Sequence, residues 1–234
     1  NLEMDIIGKY LTGKRVLVTG GAGSIGSELC RQIAGFKPEK LILVDRNESA
    51  LYEMELELLA QYPGLNTHGV LSTIQHNGRL GRVFEKEKPH VVFHAAAYKH
   101  VPMMENYPWE AVYNNIVGSW AILDFCRKFQ VARCVVVSTD KAVRPTNVMG
   151  ASKRVVELLM QAYSACGSGL FMAVRFGNVV GSIGSVVPLF KRQIERGGPV
   201  TVTDPEVTRY FMTIPEACSL ILQTGAIGKG GEIF

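Results

Sequence analysis

Short apolar runs alternate with longer amphipathic segments along most of the chain. The short apolar runs predict strands over residues 15–19, 40–45, 91–94, 134–138 and 170–175, and a weaker strand near 68–71. The segments between them repeat apolar residues every three or four positions, which predicts helices over residues 24–34, 48–62, 78–87, 108–129 and 147–165. Strands without polar alternation are buried on both faces, and the helices between them cover those faces. The pattern therefore predicts an α/β fold with a doubly wound parallel sheet.

The alternation becomes irregular after Arg175, where glycine, proline and short apolar runs take over. We interpret residues 177–234 as a small C-terminal substrate lobe, residues 14–176 as the sheet domain and residues 1–13 as a linker. Residues 231–234 have the character of the start of a further strand. We therefore expect this sequence to be the core of a longer protein, with more structure before and after it.

The composition excludes several classes of protein. Of the 234 residues, 47% are hydrophobic and 20% are charged, so the chain can bury a large core and is not disordered. A net charge of +4 without a charge cluster gives no nucleic-acid footprint, and no apolar run approaches the roughly 18 residues that span a bilayer. Five scattered cysteines without a CxxC motif indicate free thiols, and the five histidines lack metal-site spacing. We expect a cytoplasmic domain without a metal, a nucleic-acid partner or membrane contact of its own.

A glycine-rich segment joins the first predicted strand to the first long helix. Its glycines permit a tight turn and a close approach of the backbone to a pyrophosphate, and the helix amides bind the phosphates. Asp45 ends the second strand 24 residues after Gly21, where a carboxylate accepts from ribose hydroxyls and disfavours a 2′-phosphate. We therefore predict a Rossmann dinucleotide site for NAD. The cofactor residues predicted here are Gly20, Gly23, Ser24, Ile25, Gly26, Asp45 and Arg46.

Candidate chemistry lies at the ends of the fourth and fifth strands, which should face the nicotinamide. Small Ala95 and Ala96 would let the cofactor lie against the backbone. Thr139 follows the fifth strand and can hydrogen-bond a sugar hydroxyl, while the adjoining Asp140 and Lys141 can exchange protons. A predicted helix then places Met149 and Lys153 on one face, because positions i and i+4 are neighbours.

Four stretches of the chain carry a family resemblance. They are HAAAYKHVPMME (94–105), STDKAVRPTNVMGASK (138–153), RFGNVVGSIGSVVPLF (175–190) and GGPVTVTDPEVTRYFMTIPEA (197–217). They resemble the polysaccharide-biosynthesis branch of the extended short-chain dehydrogenases/reductases, which contains the UDP-N-acetylglucosamine 4,6-dehydratases. Those enzymes commonly use a YxxxK pair, whereas this chain has Met149-x-x-x-Lys153. With methionine in place of tyrosine, the chain is similar to the long, membrane-anchored, configuration-retaining dehydratases of this branch. Residues 2–14 resemble the link between their transmembrane part and the catalytic domain.

The resemblance implies a reaction without net oxidation. NAD takes a hydride from carbon 4 of the sugar, the 6-hydroxyl leaves as water, and the hydride returns to carbon 6. Asp140 would be the general acid and Lys141 the base at carbon 5, which requires an Asp140 pKa raised, and a Lys141 pKa lowered, towards neutrality. Lys153 would bind the nicotinamide ribose and Thr139 the 4-hydroxyl. Met149 has no proton to exchange, so a bound water or Lys153 would relay it.

Substrate contacts are predicted at Lys99, Asn178 and Arg209. Arg209 suits a diphosphate because a guanidinium binds phosphate through two parallel hydrogen bonds. Thr73 departs from relatives that place an aspartate after the third strand to bind adenine. His94 and His100 are interpreted as structural residues.

Two other functions are open on the sequence. A nucleotide-sugar 4-epimerase needs the 4-ketone but no elimination, although epimerases normally keep the tyrosine that Met149 replaces. A non-catalytic NAD-binding module would also tolerate its loss. The family further implies a UDP-sugar substrate, a homo-oligomer formed through the helices over 108–129 and 147–165, and a parent protein anchored to the inner membrane with this domain on the cytoplasmic side.

Overall fold

Six parallel strands form the central sheet of the computed structural model, which describes residues 4–167, 169–182, 186–202, 204, 206 and 208–234. They are β1 (Arg15–Thr19), β2 (Lys40–Asp45), β3 (Thr67–Leu71), β4 (Val91–His94), β5 (Arg133–Val137) and β6 (Leu170–Val174). The order across the sheet is β3-β2-β1-β4-β5-β6. This confirms the predicted doubly wound Rossmann fold. The order reverses between β1 and β4, which opens a crevice at their carboxyl ends.

Helices cover both faces of the sheet. The α-helices of the described residues are α1 (Met4–Leu11), α2 (Ser24–Gly35), α3 (Glu48–Gln61), α4 (Asn77–Glu87), α5 (Val101–Asn106), α6 (Pro108–Glu110), α7 (Gly118–Lys128), α8 (Val148–Ala165), α9 (Val186–Glu195) and α10 (Ile214–Ile227). One core lies between the sheet and α1, α2, α3 and α10, and a second lies between the sheet and α4, α7 and α8. Successive strand residues serve opposite cores: Val16 and Val18 face the first, and Leu17 faces the second.

The helix predicted over residues 108–129 is not regular. A π-helical turn, Ala111–Val117, joins α6 to α7, and the short α5 precedes them. Asn115 within this turn is fully buried and hydrogen-bonds the loop that follows β4. A π turn inserts an extra residue into the helix, and such turns are frequent at functional sites. Hydrophobic periodicity does not reveal this local widening.

The segment predicted as a linker contains the helix α1. Ile7 and Leu11 are fully buried in the first core, and the Tyr10 hydroxyl donates to the carbonyl of Leu222 at 2.8 Å. Residues 4–11 thus pack as part of the domain, whereas residues 1–3 lie outside the described residues. None of the helices in the described ranges is both long enough and apolar enough to cross a membrane.

The predicted substrate lobe divides at Thr213. Before it, β7 (Asn178–Val180) pairs in parallel with β8 (Phe211–Thr213), and α9 lies between them in the chain. After it, α10 returns to the sheet and buries Ile221 and Leu222 in the first core. Ile233 then forms a parallel bridge with Ala173 of β6, in the segment where a further strand was expected. The lobe that leaves the sheet is therefore shorter than the predicted 177–234.

Candidate active site

The glycine loop between β1 and α2 lies against the loop that follows β4. Gly20 has a φ of +68°, and a Cβ there would lie 2.9 Å from the backbone nitrogen of Ala96. A Cβ on Gly26 would lie 1.9 Å from the carbonyl oxygen of Gly20. Only glycine fits at these two positions, so the turn and the start of α2 are held in close contact.

Asp45 and the start of α2 form the polar side of this loop. The Asp45 carboxylate accepts from the backbone nitrogen of Ala22 at 3.0 Å and from that of Asn47 at 2.9 Å. Gly23 at the N-cap of α2 has no side chain to cap the helix, so the positive end of the helix dipole faces the crevice. These features, with the glycine cradle, fit the pyrophosphate and ribose of a dinucleotide.

A cavity of about 180 Å³, here called the glycine-loop cavity, adjoins this loop. Gly20, Gly23, Asp45, Arg46, Ala95 and Ala96, all predicted cofactor residues, line it. The Arg46 guanidinium hydrogen-bonds the Tyr98 hydroxyl, and its carbon lies 4.6 Å from the centroid of that ring. Thr73 also lines the cavity, with Ser72 and Asn114 as further polar groups.

A second cavity of about 280 Å³, here called the Lys153 cavity, lies further along the same edge of the sheet. The two cavities share Ala95, Ala97 and Tyr98. Eight residues predicted from the sequence line the Lys153 cavity: Ile25, Ala95, Lys99, Thr139, Lys141, Met149, Lys153 and Asn178. A ligand that passes from one cavity to the other would run from the glycine loop to these groups.

Lys153 is the buried cation of this site. Its side chain projects from α8 and is 6% exposed, and its ammonium makes no hydrogen bond with another described residue. Burial lowers the pKa of Lys153 to about 8, against the opposing charge of Glu157. An ammonium without a partner that faces a cavity is suited to receive a hydrogen-bond acceptor from a bound molecule.

Met149 lies one turn before Lys153 and also lines the cavity. It is 4% exposed and packs with Met104 and Ala111 in a small apolar cluster. The side chain therefore serves as packing and as cavity wall at once, and it offers no proton to a ligand.

Asp140 and Lys141 form an ion pair at the mouth of the Lys153 cavity. The Lys141 ammonium lies 3.0 Å from an Asp140 oxygen, to which the Thr139 hydroxyl donates at 2.9 Å. Burial acts to raise the pKa of Asp140, but the hydrogen bonds from Lys141 and Thr139 hold it below its usual value. The predicted upward shift of the Asp140 pKa is therefore wrong. Asn178 reaches this pair, with its side-chain oxygen 3.4 Å from the Lys141 nitrogen.

The two other predicted substrate residues differ in position. Lys99 is on the exposed rim of the Lys153 cavity, and burial lowers its pKa. Arg209 is exposed and does not line either cavity; its guanidinium donates to the carbonyl of Thr208 at 2.9 Å. The structure therefore brings Lys99 and Asn178 to the site but leaves Arg209 outside it.

His94 at the end of β4 has a structural environment. Its ring nitrogens contact the Thr19 hydroxyl at 2.6 Å and the Ser119 hydroxyl at 2.8 Å. Burial, with the nearby charge of Lys153, lowers the pKa of His94 to about 3, so the ring is neutral at physiological pH. The neutral ring links β1, β4 and α7 beneath the two cavities.

Two buried polar residues were missed by sequence reasoning. Asn115 accepts from the Tyr98 backbone nitrogen at 2.8 Å and donates to the Tyr98 carbonyl at 3.0 Å, which fixes the loop between the cavities. Glu157 lies one turn beyond Lys153 and is fully buried. A polar residue in an otherwise apolar helical stripe is a sequence signal that could have identified both.

Comparisons with known proteins cover nearly the whole chain. A family model described as "Polysaccharide biosynthesis protein" matches residues 16–234. The capsular polysaccharide biosynthesis protein CapD of Staphylococcus aureus is 51% identical over the full chain, which spans 39% of that relative. A UDP-N-acetylglucosamine 4,6-dehydratase (inverting) of Campylobacter jejuni is 35% identical over 95% of the chain and 66% of the relative. A UDP-glucose 4-epimerase of Rickettsia canadensis is 34% identical over 94% of the chain and 65% of the relative.

Solved structures share the same architecture. The X-ray structure of Pen from Bacillus thuringiensis superposes with a TM-score of 0.90 at 33% identity, covering 96% of this chain and 69% of that one. The dTDP-glucose 4,6-dehydratase DesIV of Streptomyces venezuelae, solved with NAD and TYD bound, gives a TM-score of 0.80 at 25% identity, covering 94% of this chain and 74% of that one.

Proposed function

We propose, because this chain belongs to the family of polysaccharide biosynthesis proteins, that it is an NAD-dependent 4,6-dehydratase of a UDP-N-acetylhexosamine, with UDP-N-acetylglucosamine as substrate. The observation that carries this proposal is the joint position of Thr139, Lys141 and Lys153 on one cavity that adjoins the glycine loop. The relatives named above include a UDP-N-acetylglucosamine 4,6-dehydratase and a UDP-glucose 4-epimerase, which supports a nucleotide sugar as the substrate. The product would be a 4-keto-6-deoxy nucleotide sugar for a surface polysaccharide or glycan.

The residues present fit NAD. When bound, the dinucleotide supplies a reversible hydride acceptor for carbon 4 of the sugar. The glycine loop and α2 would hold its pyrophosphate, and the Asp45 carboxylate, held by the Ala22 amide, would accept from its adenosine ribose. Lys153 would donate to the nicotinamide ribose, because it lines the cavity and its ammonium has no hydrogen bond to a side chain or carbonyl in the described part of the chain.

Lys153 and Thr139 would act on the 4-hydroxyl of the sugar. The Thr139 side chain hydrogen-bonds that hydroxyl, and the Lys153 charge favours its deprotonation as the hydride leaves. Met149 excludes bulk water from this wall of the cavity and supplies no proton. A water held between Lys153 and the hydroxyl would carry the proton that a tyrosine transfers in other members of the superfamily.

The Asp140–Lys141 pair would perform the elimination after one internal proton transfer. Asp140 is ionised in this pair, because the hydrogen bonds from Lys141 and Thr139 hold its pKa below its usual value. Desolvation by a bound sugar disfavours both charges, which favours transfer across the 3.0 Å contact to give a neutral acid and a neutral amine. Lys141 would then remove the proton at carbon 5, and Asp140 would protonate the leaving 6-hydroxyl.

The sugar nucleotide would lie between these groups and the lobe. Asn178 and Lys99 line the cavity and would contact the sugar and a phosphate, respectively. Arg209 would reach the diphosphate only if the segment before β8 turned its side chain towards the cavity.

Mass spectrometry of the product tests the function directly. Incubation with UDP-N-acetylglucosamine and NAD should give a product lighter by one water, without net NADH. A product of unchanged mass with an altered configuration at carbon 4 would instead support an epimerase, which the 34% identity to UDP-glucose 4-epimerases favours as the second candidate. Binding of the dinucleotide without any turnover would indicate the non-catalytic module.

Two substitutions test the assigned roles. Asp140→Asn and Lys141→Ala should each abolish loss of water but leave dinucleotide binding intact, since neither side chain lines the glycine-loop cavity. Turnover that is unchanged in either variant would contradict the assignment.

We also propose how this domain assembles and where it is located. An exposed aromatic row on α6, the π turn and α7 supports a homo-oligomer: Trp109, Tyr113 and Trp120 are 79%, 56% and 52% exposed and recur at helical spacing. We also propose a cytoplasmic domain whose parent is anchored to the inner membrane. A relative that is 42% identical over 97% of this chain, an uncharacterised membrane protein of Methanocaldococcus jannaschii, supports this proposal.

A further inference from the structure

Glu157 connects three elements and contacts Ser138, a residue that lines the Lys153 cavity. Its carboxylate is fully buried and accepts from Arg175 through two hydrogen bonds, of 2.8 Å and 2.6 Å. It also accepts from Arg154 at 3.0 Å and from the Ser138 hydroxyl at 2.6 Å. Glu157 thereby links α8 to the residues that follow β5 and β6.

The direction of the Ser138 hydrogen bond is fixed by charge. Burial acts to raise the pKa of Glu157, but the hydrogen bonds from Arg175, Ser138 and Arg154 lower it, so the carboxylate is ionised and can only accept. The single Ser138 hydroxyl proton is therefore directed to Glu157. Ser138 lines the Lys153 cavity, so its oxygen offers a lone pair, and no donor, to whatever the cavity holds.

We propose that Glu157 is a positioning residue of this site: its buried carboxylate holds Ser138 as an obligate hydrogen-bond acceptor and compensates the ammonium of Lys153 one helical turn away. Ser138 in this state accepts from a hydroxyl or amide donor of the bound dinucleotide or sugar. The same carboxylate prevents Arg175 and Arg154 from acting as uncompensated charges beside the cavity.

The electrostatic part concerns the charged groups near Lys153. Lys99 and Lys141 line the same cavity, and Lys141 is paired with Asp140. His94 on β4 is neutral, while Arg154 on α8 and Arg175 after β6 are cations paired with Glu157. Among the described residues, Glu157 is the carboxylate whose charge raises the pKa of Lys153. Removing its charge should lower the pKa of Lys153 by about one unit below its value near 8, because burial would then act without compensation.

Competitive labelling of Lys153 with acetic anhydride over a pH series measures this pKa by peptide mass spectrometry. Glu157→Gln should move the Lys153 midpoint down by about one pH unit. Arg154→Gln is the matched control, since it removes a partner of Glu157 but keeps the carboxylate, and its midpoint should not fall. This measurement is independent of the proposed function, so it stays decisive even if no nucleotide sugar is turned over.

Kinetics test the positioning part, which rests on the proposed function. Ser138→Ala should lower kcat/KM by about tenfold, the effect of one positioned hydrogen bond. The Ser138→Ala, Glu157→Gln double variant should have a kcat/KM no lower than that of Glu157→Gln, since Glu157 acts on the bound ligand through Ser138. Bound NAD and thermal unfolding of each variant report whether it is folded.

The conservative variant Glu157→Asp separates the effect of the carboxylate charge from the effect of side-chain length. Glu157→Asp keeps the charge but is one methylene shorter, so the Lys153 midpoint should stay near the wild-type value while kcat/KM falls to the level of Ser138→Ala. If Glu157→Gln does not fold, Glu157→Asp carries the test. An unchanged Lys153 midpoint in Glu157→Gln, or fully additive effects in the double variant, would overturn the proposal.

Discussion

Replacing Gly26 by alanine should separate the glycine loop from α2. A Cβ at this position would lie 1.9 Å from the Gly20 carbonyl oxygen, and side-chain carbons do not approach other heavy atoms closer than 3.0 Å. The loop and the helix must therefore move apart by about 1 Å, a displacement that can cost a positioned site about a hundredfold in rate. The affected atoms are those that would cradle the pyrophosphate.

Two effects of opposite sign determine the unfolding free energy of Gly26→Ala. Alanine is favoured over glycine inside a helix by about 0.5–1 kcal/mol, but crowding in a packed region costs about 1–3 kcal/mol. We expect Gly26→Ala to lose about 1–2 kcal/mol of unfolding free energy and to bind NAD at least about tenfold more weakly. Chemical denaturation followed by fluorescence and calorimetric titration with NAD measure the two quantities.

Gly35→Ala is the control, because it lies in the same helix and an added Cβ there meets nothing within 4 Å. It should leave NAD binding unchanged and stabilise the protein by about 0.5–1 kcal/mol. Wild-type NAD affinity in Gly26→Ala would refute the argument that this close contact shapes the cofactor site.

Three further predictions concern Lys153, His94 and Trp109. Because the Lys153 ammonium titrates at about 8 in the folded protein and about 10.4 unfolded, the unfolded state holds more protons between these values and wild-type stability rises with pH there. Lys153→Met should therefore be more stable than the dinucleotide-free wild type at pH 7 by about 2 kcal/mol, an advantage that shrinks by pH 10 in denaturation experiments. His94 stays neutral in the folded protein down to pH about 3, whereas the unfolded ring titrates near 6.5, so the free energy of unfolding should fall as the pH drops through 6.5. The fall should be shallower in His94→Gln. Equal slopes of unfolding free energy against pH in the two proteins would exclude His94 as the cause. Trp109→Asp should convert the oligomer to a smaller species in sedimentation without loss of helicity, and a wild type that sediments as a monomer would contradict the proposed interface.

Five of the six strands were predictable because each contains an apolar run buried on both faces, whereas β3 has only one buried residue, Val70. The placement of Thr139, Lys141 and Lys153 together also followed from the sequence, since the carboxyl ends of parallel strands meet at one edge. The helix α10 was not predicted, although Thr213 and Glu216 form a capping box at its start.

The charge states of the site residues were harder to predict from the sequence than their positions. The lowered pKa of Asp140 depends on a 3.0 Å contact with its neighbour Lys141, which adjacency in the sequence does not guarantee. The role of Glu157 likewise depends on Arg175, which reaches it from another element. Such pairings arise only when the sheet has assembled, so residue spacing along one helix does not reveal them.

The two walls of the Lys153 cavity differ in how firmly they are held. Thr139 and Lys153 are attached to the sheet and to α8, whose residues are deeply packed, whereas Asn178 and Phe211 belong to a two-stranded unit next to α9, a helix with no buried residue among those described. Substitutions in the lobe can therefore reshape this wall of the cavity without disturbing Thr139 and Lys153, the groups proposed to act on the substrate. Under the proposed function, this division would let one set of reacting groups serve different hexoses through changes in the lobe alone. Backbone amide hydrogen exchange should be fastest in the lobe.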